Sequence, residues 1–178
     1  MQIQVPFALP NLPDEYGINQ PADELVDGIN LRSFPFTVTD LPKAAVTVAF
    51  SLIDHDTIPV VGFSWIHWLG ANLPVTAGQV VVPDNVSQTA TFTQGTNTLP
   101  MIIDQIHQPT AFKQRGYDLT KHYAGPRPRG GVHAYRLTVT AVDTTLPVTS
   151  GYLYNELLRM VEGHVVAQTH VNLLYAKK

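Results

Sequence analysis

The amino-acid sequence predicts a mostly β, single-domain protein, and three features carry that prediction. Fourteen prolines and twelve glycines break the 178-residue chain into short stretches. Between the breaks Val, Thr, Ile, Phe and Tyr are frequent, and their branched or aromatic side chains suit a pleated, half-buried surface. Within several stretches apolar and polar positions alternate with period two, the repeat of a strand with one face on a core. A domain of this length buries about 70% of its unfolded surface, so its core needs no covalent staples. No internal repeat or low-complexity linker divides the chain, and residues 1–178 are expected to form one domain.

The elements follow in order. Ile3, Val5 and Phe7 alternate with Gln2 and Gln4 at the start. Strands are expected at 45–53 (AVTVAFSLI), 64–73 (SWIHWLGANL), 88–93 (QTATFT), 132–143 (VHAYRLTVTAVD) and 164–175 (HVVAQTHVNLLY). Helical period occurs over 151–163, where Leu153, Leu157, Met160 and Val161 fall on one stripe, Ser150 can cap the start and Gly163 can end it. Shorter helical turns fit 21–27 and 117–122. The stretch 94–131 is polar, proline-rich and without clear period, and a loop that long is usually functional or hides an element. Its last part, GPRPRGG, cannot be regular: proline lacks the ladder's amide hydrogen, and glycine admits turns closed to other residues.

Composition removes several function classes. With no cysteine, disulfides, thiolate metal sites and a cysteine nucleophile are excluded. A formal charge of −3 with 11 basic residues argues against broad nucleic-acid binding, which needs a phosphate-neutralising basic face; a local basic patch remains at Arg127 and Arg129. The N-terminus lacks the basic and apolar regions of a secretory signal, and no window approaches 18 consecutive apolar residues. A soluble, cytoplasmic protein without stable membrane insertion is the expectation.

Three segments hold the residues of chemical interest. In a strand, positions i and i+2 share a face, which groups Phe63, Trp65, His67 and Leu69 against Ser64, Ile66 and Trp68. The same rule groups His133 with Tyr135, opposite Ala134 and Arg136. Each strand thus carries one histidine and one polar-tipped aromatic on a single side, either as satisfied core groups or as the walls of a site. In SLIDHDTIP an apolar strand ends in Asp54 and Asp56, also at i and i+2. They can cap a turn, or one can hold a neighbouring imidazole in one tautomer and raise its pKa. A cationic histidine beside free amides of a glycine-rich loop would be an anion site. Two histidines and a carboxylate could also hold a metal, but no HxH or HExxH pattern is present and His55, His107, His122, His164 and His170 are scattered. No GxSxG elbow supports a serine hydrolase.

Taken together, DHDTIP, WIHW and YAGPRPRGGVHAY resemble the motifs of the phosphatidylethanolamine-binding protein family, in its bacterial and archaeal Raf-kinase-inhibitor-like branch. That family has a D-x-D-x-P stretch, a W-x-H strand, and a G-P-x-P-x-G loop leading into H-x-Y, in the order found here. The terminal ELLRMVEGHVVAQTHV resembles the helix and strand that close bacterial members. The resemblance spans roughly residues 30–175. His55, Thr57 and Ile58 depart from the usual proline and alanine around the aspartates, and Arg127 stands where many members have a smaller residue.

The resemblance implies a β-sandwich of two packed antiparallel sheets with a few peripheral helices, one near the C-terminus. It implies a small cavity for phosphate-like anions or phospholipid headgroups, formed by Asp54, Asp56, Trp65, His67, Gly125, Pro126, His133 and Tyr135, with no catalytic residue, metal or cofactor. His67, His133 and loop amides are expected to face the anion, so affinity should fall as pH rises through the histidine pKa values. A non-enzymatic binding protein is the leading reading. The alternatives are an inhibitor of a kinase or protease partner acting through the loop 94–131, and a metal-independent hydrolase using His67 and His133 as acid and base. A homodimer is left open.

Overall fold

The computed structural model describes residues 1–103 and 119–178. The period-two stretches form the long strands of one sheet. β3 (Thr47–Asp54), β4 (Trp65–Pro74), β7 (Val132–Val142) and β8 (Val165–Ala176) pair antiparallel with the two-residue β6 (Thr93–Gln94) in the order β6-β4-β3-β7-β8. A smaller antiparallel sheet is built from β1 (Gln2–Gln4), β2 (Phe36–Thr39) and β5 (Val80–Val82) in the order β1-β2-β5. The fold is therefore mostly β, with two antiparallel sheets and few helices, as expected.

The core lies between the sheets. Phe34, Phe36, Val38, Val80 and Val82 meet Phe50, Leu52, Trp68, Leu137 and Val139 in one buried cluster. Its rings meet edge to face, Phe36 on Phe50 at 5.3 Å and Phe50 on Trp68 at 4.6 Å. Each such side chain contributes roughly 1.5–3 kcal/mol by burial, and a ring pair adds about 0.5–1.5 kcal/mol. Gly70 is part of this fit: a Cβ there would come within 2.2 Å of the Phe50 ring. On the opposite face of the large sheet, Ala49, Leu69, Ala71 and Val142 are covered by Leu146, Tyr152 and Leu157. Leu157 lies on α3 (Tyr154–Val161), which follows α1 (Ile58–Val61) and α2 (Pro100–Ile103) along the chain.

The β3–β4 register shifts at two places, between Val48 and Phe50 and between Leu52 and Ile53, and the second bears on the site. Leu52 pairs with Trp68 and Ile53 with Ile66, leaving His67 as an extra residue in β4. A β-bulge of this kind bends the strand and re-aims side chains. Trp68 therefore joins the inner core, Leu69 the outer cluster, and Ile66 packs outside. The expected grouping of Leu69 with Trp65 and His67, against Trp68, is corrected: Trp68 is inward and Leu69 outward.

Other boundaries shift for local reasons. The strand expected at 88–93 is mostly irregular. Val86–Gln88 form a 3-10 turn and only Thr93–Gln94 pair, while side-chain bonds tie the two ends of the segment together. The Ser87 hydroxyl and Trp68 Nε1 both donate to Gln94 Oε1, and Gln94 Nε2 donates to the Ser87 carbonyl. The helix expected over 151–163 is α3, shorter at both ends. Its start is held by the Glu156 carboxylate accepting from the Leu153 amide rather than by Ser150, and Gly163 lies beyond its end with φ of 81°. Short 3-10 turns occur at Ala22–Glu24 and Leu119–Lys121, inside the expected 21–27 and 117–122. Much of the long loop expected at 94–131 falls on residues 104–118, outside those described. Among the described residues no helix is long and apolar enough to cross a membrane.

Candidate functional site

Beyond the reach of the small sheet, the inner face of β3, β4 and β7 is roofed by loops around residues 27–30 and 124–129, and a cavity of about 690 Å³ lies beneath them. The loop is fixed by backbone and side-chain bonds. His67 and Ala124 exchange two of them: the Ala124 amide donates to the His67 carbonyl at 3.0 Å, and His67 Nδ1 donates to the Ala124 carbonyl at 2.6 Å. The Gly125 amide donates to the carbonyl of buried Asn30, whose own side chain donates to the Glu15 and Gly17 carbonyls. Gly125 passes so close to Tyr16 and Asn30 that a Cβ would stand 2.6 Å from the Tyr16 carbonyl oxygen; only glycine fits.

The inner end of the cavity joins three strands. Asp54 on β3 pairs directly with Tyr135 on β7. His133, two residues before Tyr135, donates Nδ1–H to Asp54 Oδ2 at 2.7 Å. Asp54 Oδ1 accepts the Asp56 amide at 2.8 Å, so both carboxylate oxygens are engaged. His67 packs edge-on against the Tyr135 ring at 5.0 Å, and the His133 ring lies near-parallel to it at 6.4 Å. Asp54, His67, His133 and Tyr135 are all buried. One wall is apolar, made by Phe63 and Trp65, whose rings stack at 6.0 Å, with Leu99 and Leu119. The exposed side chains of Arg127, Arg129 and Lys177 stand at the rim.

Burial sets the protonation states. His67 is driven neutral, its pKa pushed down to about 4 by desolvation, which outweighs the Ala124 carbonyl and the charge of Asp54. With its proton on Nδ1, its Nε2 is an acceptor that makes no hydrogen bond to the described protein. Desolvation first, and the charge of Asp54 second, raise the Tyr135 hydroxyl well above the ordinary tyrosine range. Tyr135 Oη is a buried O–H with no well-formed hydrogen bond among the described residues, although the Asp54 carboxylate lies close enough to raise its pKa. Among the described residues no three of His, Asp and Glu converge as metal ligands.

Comparison with known proteins decides the kinship. The family model described as phosphatidylethanolamine-binding protein matches residues 6–176. The chain belongs to the phosphatidylethanolamine-binding protein family. Relatives in this family include the uncharacterized protein YxkA of Bacillus subtilis, 37% identical over 94% of this chain and 95% of that protein. Another is a UPF0098 protein of Pyrococcus horikoshii, 29% identical over 92% of this chain and 74% of that protein. Two solved structures share the fold. A putative phosphatidylethanolamine-binding protein homologue of Chlamydia trachomatis has a TM-score of 0.74 at 22% identity, covering 99% of this chain and 97% of that one. YbcL of Escherichia coli, described as a new member of the mammalian PEBP family, gives 0.72 at 19% identity, covering 99% and 98%.

In this member of the phosphatidylethanolamine-binding protein family, Asp54, Trp65, His67, Gly125, Pro126, His133 and Tyr135 all line the cavity, and Asp56 does not. Asp56 is exposed and accepts the Ala134 amide at 2.8 Å, which ties the β3 end to β7. The aspartate beside a histidine is Asp54 beside His133, and His67 has a carbonyl partner instead. The amides expected to face an anion are engaged within the protein at Ala124 and Gly125, while Pro126 has none and its carbonyl accepts from Ile18. The rim residue Lys177 and the hub Asn30 carry no local sequence signal. Arg127 and Arg129 are visible as a basic patch, but their place beside the histidines is a fact of the fold.

Proposed function

We propose that this protein is a non-enzymatic binding protein whose cavity captures a small phosphate-like anion, free or carried on a larger molecule. The observation that carries the reading is the inner end of the cavity, where the unpartnered Tyr135 hydroxyl lies beside the buried Asp54–His133 pair, under a rim of three cations. A buried O–H without a partner costs about 1–3 kcal/mol, and a ligand oxygen would recover that bond. Turnover has little to work with inside. The Thr57 hydroxyl sits 2.9 Å from two backbone carbonyls, and the Ser64–His55 pair, 2.8 Å apart, is off the cavity lining. Membership of the family supports the binding reading, and any action on a kinase or protease would be a consequence of that binding or of the 94–131 segment.

The test uses Tyr135→Phe. Removing an unpartnered hydroxyl should leave stability unchanged or slightly higher, while inorganic phosphate and phosphorylethanolamine bind about tenfold more weakly, the loss of one net hydrogen bond. Trp65 lines the cavity, so its fluorescence reports occupancy. Absence of a saturable change in the wild-type protein with either ligand would defeat the proposal.

A further inference from the structure

The acceptor at His67 has a consequence for which anion fits. We propose that the cavity selects an oxyanion that still carries a proton, namely singly protonated phosphate or a phosphomonoester monoanion, in preference to sulfate and to phosphodiesters. This rests on the anion-binding reading above and names the chemical class of the ligand.

The argument starts from donors and acceptors. The 2.6 Å bond from His67 Nδ1 to a carbonyl, which can only accept, places the ring proton on Nδ1. Nε2 then offers a lone pair to a cavity whose lining includes this ring. The groups that face it across the cavity are Asp54 from β3, and His133 and Tyr135 from β7, with Asp27, Arg127, Arg129 and Lys177 further out. Asp54 already accepts from Asp56 and His133. Among the described residues Tyr135 Oη makes no hydrogen bond of good geometry, and its polar neighbour is the Asp54 carboxylate. Among the described residues His67 Nε2 is therefore an acceptor without a donor at the inner end, and deep burial keeps the ring from taking a second proton at neutral pH.

An anion seated there meets a lone pair as well as donors. Fully ionised sulfate presents only lone pairs, so against His67 it leaves two acceptors facing each other in a low dielectric. A phosphodiester, the form found in a phospholipid headgroup, has the same defect. A phosphate with one P–O–H donates to Nε2 and accepts from Tyr135 and the cationic groups. A site built to bond a particular proton rejects the isostere that lacks it far more strongly than a pocket discriminates by size.

The experiment titrates the wild-type protein with inorganic phosphate, methyl phosphate, dimethyl phosphate and sulfate at pH 5.5 and pH 8, by calorimetry or Trp65 fluorescence. At pH 5.5 phosphate and methyl phosphate should bind at least fivefold more tightly than sulfate and dimethyl phosphate. Methyl phosphate against dimethyl phosphate separates a monoester ligand from a headgroup-type diester. The second ionisation of a phosphomonoester lies near about 6 and removes its last P–O–H, so the methyl phosphate-to-sulfate ratio should shrink at pH 8, whereas inorganic phosphate still carries one P–O–H there and should keep its advantage. Sulfate stays a dianion throughout, so its own pH response measures the protein's titration alone. A methyl phosphate-to-sulfate ratio below fivefold at pH 5.5, or one that does not shrink at pH 8, overturns the inference while the binding reading stands. Failure of all four anions to bind overturns both.

Discussion

The inner face of the five-stranded sheet has a core half and a cavity half, and the same strands build both. In the core half Phe50 and Leu52 of β3 lie under the small sheet, with Phe36 standing edge-on to Phe50. Two residues further along the same face, Asp54 has loops above it instead of a strand, and its carboxylate is tied to His133 and the Asp56 amide. On β7, Val139 and Leu137 give way to Tyr135 and His133 in the same rhythm. The face stays buried throughout, but the change from apolar to ionisable groups marks where the second sheet ends. A carboxylate under a dry apolar sheet would lack bonding partners at a cost of several kcal/mol.

The largest expected effect breaks the core half alone. Phe36→Ala should cost about 3–5 kcal/mol, read from the urea midpoint, with phosphate affinity of the folded protein within twofold of wild type. A fivefold loss of affinity would mean that the halves are not separable.

A smaller effect belongs to the cavity half and depends on pH. Native His67 stays neutral down to about 4, whereas an ordinary histidine takes up a proton near 6.5. Below 6.5 the unfolded chain therefore binds a proton that the native state refuses, and stability falls as acid is added. The loss spans pH 6.5 to 4, reaches on the order of 3 kcal/mol, and is absent above pH 7. Urea midpoints across that range should fall more steeply for wild type than for His67→Gln; parallel curves would show that His67 titrates normally.

The smallest effect sharpens the contrast between the two aspartates. Asp56→Ala removes one bond from an exposed carboxylate to the Ala134 amide and should cost about 1 kcal/mol. A loss above 3 kcal/mol in the same urea assay would place Asp56 in the role assigned here to Asp54.

The sequence made the long strands legible because each is long enough for period two to show: 47–54, 65–74, 132–142 and 165–176 lie within a residue or two of their expected limits. β2 and β5, of four and three residues, are too short for a pattern and were not foreseen. Segment 88–93 has strand-forming residues, yet the Ser87 and Gln94 side chains tie its ends together across a 3-10 turn. The residues that line the cavity, from Asp54 to Tyr135 but without Asp56, were legible through spacing and motif likeness. Their roles were not, because the state of His67 depends on a carbonyl 57 positions away in sequence. Trp68 and Leu69 were placed on the wrong faces because nothing local announces the bulge.

That bulge has a grammatical character. Read β4 without His67 and the strand scans evenly, with Trp65 inward, Ile66 outward, Trp68 inward and Leu69 outward. His67 is a supernumerary letter in an otherwise complete word, and its deletion would keep every neighbour on its own side. What the sheet does not need, the cavity does: the same deletion would remove a ring from its lining and both bonds that hold residue 124 over it.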